Sequence, residues 1–211
     1  MKTDELITAL VADRKVAPPP ARTLLRWTLA ACVLAAIALV TTAGVRAAFA
    51  AAVLTPRVIF KLLLAGWLIF GAAGAVLRLG RPGARLGMWS AALVALPCLL
   101  AVGVGVELLA LPSDTWVIQA RGTNATWCLR LIPLLAAAPL VACLAALHQA
   151  APTRPALSGA VAGLLAGGIG AGLYALHCTD DSPLFVATWY GLAVLSITAL
   201  GALAGSRILR W

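Results

Sequence analysis

Six long apolar runs dominate this sequence and limit what it can fold into. A helix that crosses the hydrocarbon of a bilayer needs about 20 mainly apolar residues. Only 11% of the residues are charged, so a water-soluble fold would have more apolar side chains than interior. The sequence therefore predicts an all-α integral membrane bundle of about six transmembrane helices in the lipid bilayer. The predicted spans are residues 27–45, 59–79, 88–109, 128–147, 156–176 and 184–206.

The basic residues are distributed unevenly between the two predicted sides of the membrane. Of the sixteen Lys and Arg residues, eleven fall on the side of the N-terminus and five on the other side. The positive-inside rule then places both termini in the cytoplasm. Because these residues are scattered at span ends, the net charge of +9 indicates anchoring to lipid head groups and no direct binding of nucleic acid.

The chain divides into an N-terminal segment, residues 1–26, and a six-helix membrane domain, residues 27–211. Residues 3–13 have the pattern of a short amphipathic helix, with Asp4 at its positive end. A helix this short is marginal alone in water, so we expect it to form against the membrane surface or on a cytoplasmic protein. The residues that line its apolar face, and that would contact a partner, are Leu6, Ile7, Leu10 and Val11.

Two of the five cysteines are predicted to reach the same outer interface. Cys128 opens the fourth run and Cys178 follows the fifth, and because successive spans alternate in direction these two positions lie on one side. Cys32, Cys98 and Cys143 fall inside spans, where a small apolar core residue is the expected role.

The segment around Cys178 carries several groups that bind metals. His177 precedes the thiol and Asp181 follows it closely. Two thiolates with an imidazole suit a Cu or Zn ion, so Cys128, Cys178, His177 and Asp181 are candidate ligands of a regulatory ion, and no obligatory cofactor is expected. A disulfide between the two cysteines is the alternative in an oxidising compartment. Asp181 or Ser182 followed by Pro183 also fits a helix start.

Other motifs indicate packing rather than catalysis. Gly159, Gly163 and Gly167 recur at four-residue spacing, which favours tight helix packing and leaves a homodimer as an alternative. The sequence lacks a CxxC pair and the common hydrolase, metalloprotease and phosphate-binding motifs, so an enzyme is not expected. A small multi-pass metal or solute transporter is the rival interpretation, although Glu107 is the only acid inside a span and lies near the outer surface, within reach of head groups.

Several stretches of the chain resemble the NrsF family, the negative regulators of sigma F. The resemblance rests on the opening residues 1–7, on Cys128, and above all on the stretch from Ala175 to Tyr190, which reads ALHCTDDSPLFVATWY. The closing residues 207–211 fit as well.

This resemblance implies a bacterial inner-membrane anti-sigma factor. It would hold an extracytoplasmic-function sigma factor at the membrane and release it under heavy-metal or oxidative stress. The two cysteines that this family uses in sensing match Cys128 and Cys178, and the N-terminal helix becomes the expected docking site for the sigma factor.

Overall fold

The computed structural model of this protein describes residues 3–12, 20–81 and 83–210, without the side chains at positions 6, 7, 9, 10, 12 and 20. Within these ranges the chain is helical and contains no strand. The helices are α1 Thr3–Ala12, α2 Pro20–Thr42, α3 Phe49–Ala52, α4 Pro56–Leu79, α5 Met88–Ala110, α6 Trp116–Arg121, α7 Ala125–His148, α8 Pro155–Ala175, α9 Pro183–Phe185 and α10 Gly191–Ile208.

All six predicted spans are confirmed as helices that are long and apolar enough to cross a membrane. Five are α2, α4, α5, α7 and α8, and the sixth combines α9, a π-helical turn at Val186–Tyr190 and α10. Helix α2 begins seven residues before the predicted start, because Pro20 suits the first helical position and the helix extends beyond its apolar part. It ends at Thr42, where Gly44 adopts a φ of 74° and its N–H bonds to the carbonyl of Leu39 at 2.9 Å.

The connecting segments gather at two ends of the bundle. Segments 43–55, 111–124 and 176–182 lie at one end, which we call the thiol end because Cys128 and Cys178 are there. Its loops are joined directly, since the N–H of Arg46 donates to the carbonyl of Leu176 at 3.1 Å and Nε1 of Trp189 donates to the carbonyl of Ala120 at 2.9 Å. The opposite end, the termini end, carries the start of α2 and the end of α10.

Helix α8 forms the centre of the bundle. Two thirds of its membrane window (67%) is buried inside the protein, against 6% for α5. Helix α8 contacts α10, α7, α4 and α2, whereas α5 packs mainly against α4. A change in the position of α8 would therefore disturb most of the bundle.

The glycines of α8 serve internal packing. A Cβ atom added at Gly163 would lie 2.5 Å from the carbonyl oxygen of Ile197 and 2.8 Å from Cα of Thr198. Gly201 and Gly205 of α10 approach Gly159 of α8 in the same way. Of the two roles predicted for this spacing, the structure confirms close packing between helices of one chain.

Replacing Gly163 by Ala should destabilise the bundle by about 1 to 3 kcal/mol, because the methyl group would press on the α10 backbone, which cannot move without separating the helices. Gly66→Ala is the matched control, since nothing lies within 4 Å of its added Cβ. Thermal unfolding of both variants in detergent tests this expectation. Equal unfolding temperatures would contradict the close contact.

Candidate functional site

Cys128 and Cys178 lie together at the thiol end. Cys128 is in the first turn of α7 and Cys178 is in the segment after α8, and the two side chains are 0% and 1% exposed. Both belong to the same hydrophobic cluster, and their thiols are close enough to interact electrostatically. All five cysteines are described and each is a free thiol. The structure thus brings together the two cysteines that the sequence singled out.

Asp180 holds the Cys178 segment against the start of α7. Its carboxylate accepts hydrogen bonds from the backbone N–H groups of Asn124 (2.8 Å) and Thr123 (3.0 Å) and from Nδ2 of Asn124 (3.0 Å). A carboxylate is favourable there because the helix dipole is positive at the N-terminus of α7. This contact fixes the distance between the residues that carry the two thiols.

Asp181 holds the same segment against the other side of the bundle. Its carboxylate pairs with Nζ of Lys61, in α4, and with Nη1 of Arg46 at 2.8 Å. Both cations also donate to the carbonyl oxygen of Cys178, Lys61 at 3.3 Å and Arg46 at 3.1 Å. We call Lys61, Arg46 and Asp181 the Asp181 clamp, and it binds the main chain at the position of the thiol.

The two cations of the Asp181 clamp are almost completely removed from solvent. The side chains of Lys61 and Arg46 are 1% and 8% exposed, and charges this deeply buried are stable only when they are paired. Neither cation was predicted from the sequence to have a role beyond that of an outer basic residue. The available signal was the position of Lys61 within the predicted span 59–79, where an ionisable residue is expected to have a partner and a function.

Two tyrosines border the thiols. Tyr174, near the end of α8, and Tyr190, in the π-helical turn, have ring centroids 5.7 Å apart, and both hydroxyls are buried. Both side chains interact with the Cys178 thiol. A hydroxyl group can donate a hydrogen bond, so these two can stabilise the sulfur atom when it becomes more negative. Neither tyrosine was predicted from the sequence as a site residue.

The surroundings keep the Cys178 thiol protonated at rest. Burial raises the pKa of this thiol above its usual value, and the nearby Lys61 ammonium opposes that effect only in part. Since the thiolate is the reactive form, the Cys178 thiol of the resting protein reacts slowly with alkylating agents and oxidants.

The two other candidate ligands are engaged elsewhere. Nδ1 of His177 lies 3.0 Å from the carbonyl oxygen of Gly44, and Asp181 belongs to the clamp. Among residues 3–12, 20–81 and 83–210, no group of three His, Cys, Asp or Glu side chains is placed to hold a metal ion. The donor set present at the site is therefore the pair of thiols.

Glu107 forms an ion pair with Arg57 beside the site, so the prediction that it reaches lipid head groups is wrong. Its carboxylate does not reach toward head groups but is buried, 3.1 Å from Nη2 of Arg57 and 2.9 Å from Oγ of Ser182. Ser182 also accepts a hydrogen bond from the N–H of Leu184 at 3.2 Å, which confirms it as the helix start before Pro183. This contact ties α5 to the segment that carries Cys178.

A polar cavity of about 560 Å³ lies at the thiol end and borders the segment that carries Cys178. Neither thiol lines it, so a reagent that enters the cavity meets the Cys178 segment before it meets sulfur. The lining residues are Thr55, Pro56, Arg57, Gln119, Thr179, Asp180, Asp181 and Ser182.

The N-terminal helix is confirmed at Thr3–Ala12. Asp4 and Val11 are exposed, Val11 to 67%. The side chains of Leu6, Ile7 and Leu10, predicted to contact a partner, lie outside the described part of the chain.

Fold and site together define a six-span membrane protein whose polar and thiol chemistry is concentrated at one end. The sequence profile of the family NrsF, negative regulator of sigma F, matches residues 10–211. The chain therefore belongs to the NrsF family, as the resemblance in sequence indicated, and is a membrane anti-sigma factor.

Two relatives agree with this assignment. A probable anti-sigma-F factor NrsF from Azospira oryzae is 34% identical over 218 aligned positions, and an anti-sigma-F factor NrsF from Caulobacter vibrioides is 36% identical over 220. Each alignment covers 100% of both chains. No solved structure matches the chain.

Proposed function

We propose that this protein holds an extracytoplasmic-function sigma factor at the bacterial inner membrane and releases it when Cys128 and Cys178 react. The observation that carries the proposal is the burial of these two thiols together beneath a segment fixed by Asp180 and Asp181. Both termini lie in the cytoplasm and the thiol end faces the periplasm, as the distribution of basic residues predicts. The two thiols are then exposed to signals in the periplasm, while α1 binds its partner in the cytoplasm.

Either of two signals can join the sulfur atoms. Hydrogen peroxide can take two electrons and two protons from the thiols, which leaves a disulfide and two water molecules. A soft ion such as Cu(I) can instead bind two thiolates and release two protons. A Zn(II) site is less well supported, because four ligands are usual and His177 and Asp181 have other partners.

The reaction acts on the bundle through α7 and α8. Joining Cys128 to Cys178 changes how α7 and the end of α8 pack, and α7 in turn packs along α2. Helix α2 follows α1 after seven intervening residues, so a shift of α2 changes where α1 is presented. Moving such an equilibrium from 1:99 to 99:1 requires about 5.5 kcal/mol, and a disulfide or a two-thiolate metal site supplies several kcal/mol of that.

A single substitution that adds a negative charge to α1 tests whether this helix binds the sigma factor. Leu10→Asp in the full chain should reduce capture of the sigma factor at least tenfold, since it places a carboxylate on the predicted apolar face. Ala12→Asp adds the same charge at the same end of α1, at a position that helical spacing predicts on the other face, and should retain capture. The measurement is co-purification from detergent with a small sigma factor of the same genome. Equal capture by both variants would remove α1 from the interface.

A further inference from the structure

A large apolar groove lies between α2 and α4, and neither Cys128 nor Cys178 lines it. Helix α2 packs against α7 and only along part of its length against α8. This arrangement leaves a cavity of about 590 Å³ with its floor on α8, and we call it the α2–α4 groove. Its walls include Leu25, Leu29, Ala73 and Leu77, and Arg22 stands at its termini end. The volume is in the range of about 300–1,000 Å³ that small-molecule sites occupy.

Two smaller cavities extend the α2–α4 groove at the termini end. One of about 410 Å³ shares Arg22 with the groove and is otherwise lined by Thr23, Arg26, Trp27 and Gln149. Another of about 300 Å³ shares Ala21, Leu24 and Leu77 with the groove and is bordered by Arg81. Arg22 therefore stands between the apolar groove and a polar pocket that holds a second arginine, an indole and an amide.

Within the described part of the chain, no carboxylate pairs with the arginines of this polar pocket. Among the described residues, no Asp or Glu lines any of the three cavities, and Arg22, Arg26 and Arg81 form none of the ion pairs seen in the structure. An anionic group fits this end, as basic pockets between membrane helices are known to bind lipid head groups. A second copy of the chain fits poorly, because a two-fold interface would bring the same arginines together on one side of the membrane.

We propose that the α2–α4 groove binds an acyl chain of an anionic phospholipid, whose phosphodiester group is held by Arg22 and Arg26. Trp27 and Gln149 border the head group, and the lipid fills the space that separates α2 from α4. This binding does not depend on the thiols. It fixes the position of α2, the helix that follows α1.

Native mass spectrometry of the purified full-length protein tests the site. With equal amounts of phosphatidylglycerol and phosphatidylcholine, the wild type should retain one phosphatidylglycerol in clear preference. Arg22→Gln with Arg26→Gln should weaken its retention about thirtyfold, equivalent to about 2 kcal/mol for two basic residues near an anionic lipid. Arg78→Gln with Arg207→Gln removes the same charge at the same end, outside the three cavities, and should leave retention unchanged. Equal loss in both double variants would overturn the proposal in favour of diffuse attraction.

Two further variants test the apolar half of the site. Ala73→Phe fills the α2–α4 groove and should reduce lipid retention, whereas Ala30→Phe on the exposed surface of α2 should not. Glycerophosphoglycerol, which has the head group without acyl chains, should fail to displace the lipid. If it displaces the lipid at similar concentration, the site binds an aqueous anion and the lipid assignment is wrong. Retention of phosphatidylcholine as strong as that of phosphatidylglycerol would also overturn it.

Discussion

Replacing Asp181 by Asn should destabilise the protein by about 3 to 5 kcal/mol, the largest loss we expect from any single change outside the apolar core. The substitution keeps the shape of the side chain but removes the negative charge that Lys61 and Arg46 share. Because Lys61 is 1% exposed, its ammonium cannot be solvated by water in place of the lost partner. Chemical or thermal unfolding of the purified protein in micelles measures the effect.

Two control variants show whether the loss of stability in Asp181→Asn comes from the broken ion pair or from a general sensitivity to mutation. Asp114→Asn makes the same change at an exposed carboxylate of the same end and should have little effect. Lys61→Met combined with Asp181→Asn removes both members of the most buried pair, so the double variant should lose less than the sum of the single losses. Strict additivity of the two losses would show that the pair is not coupled.

Serine at either Cys128 or Cys178 should abolish release of the sigma factor under stress. The hydroxyl group occupies nearly the same space but forms neither a disulfide nor a strong bond to a soft ion. The sigma factor should remain held in unstressed cells, since the resting structure has free thiols. Transcription of the dependent genes after exposure to copper or peroxide should therefore stay at the unstressed level, with an unchanged amount of the protein.

The other cysteines provide matched controls for this experiment. Cys98 is exposed on a membrane helix, and Cys98→Ser should respond like the wild type. Retained induction in Cys178→Ser would remove the thiol pair from the mechanism. The same strains distinguish a regulator from a transporter, because a transporter variant would change the metal content of the cell while transcription stayed as in the wild type.

The two signals leave different products at the site. After peroxide stress, a disulfide should protect Cys128 and Cys178 from alkylation in the denatured protein until a reductant is added, whereas the unstressed denatured protein should be alkylated at both. After metal stress, a chelator alone should restore alkylation. Observing one of these patterns identifies which reaction joins the sulfur atoms.

The sequence by itself determined the elements of this fold. Six spans follow from local hydropathy, because the bilayer requires each crossing to be a continuous apolar helix that satisfies its own backbone hydrogen bonds. The placement of Cys128 and Cys178 at one end follows as well, since successive spans alternate in direction. The helix at Thr3–Ala12 was likewise readable from its spacing.

Only the tertiary structure decided what surrounds the thiols. Lys61 and Asp181 are 120 residues apart, and Arg46 and Asp181 are 135 apart, so no local pattern could pair them. Their contact depends on how each helix is rotated about its axis and how deeply it sits against its neighbours. The same helix rotations place His177 against the carbonyl of Gly44 and Glu107 against Arg57. They also place the glycines of α8 against those of α10. Hydropathy fixes where a helix crosses the membrane, but the packing of side chains between helices fixes which charges and hydroxyls meet the sulfur atoms.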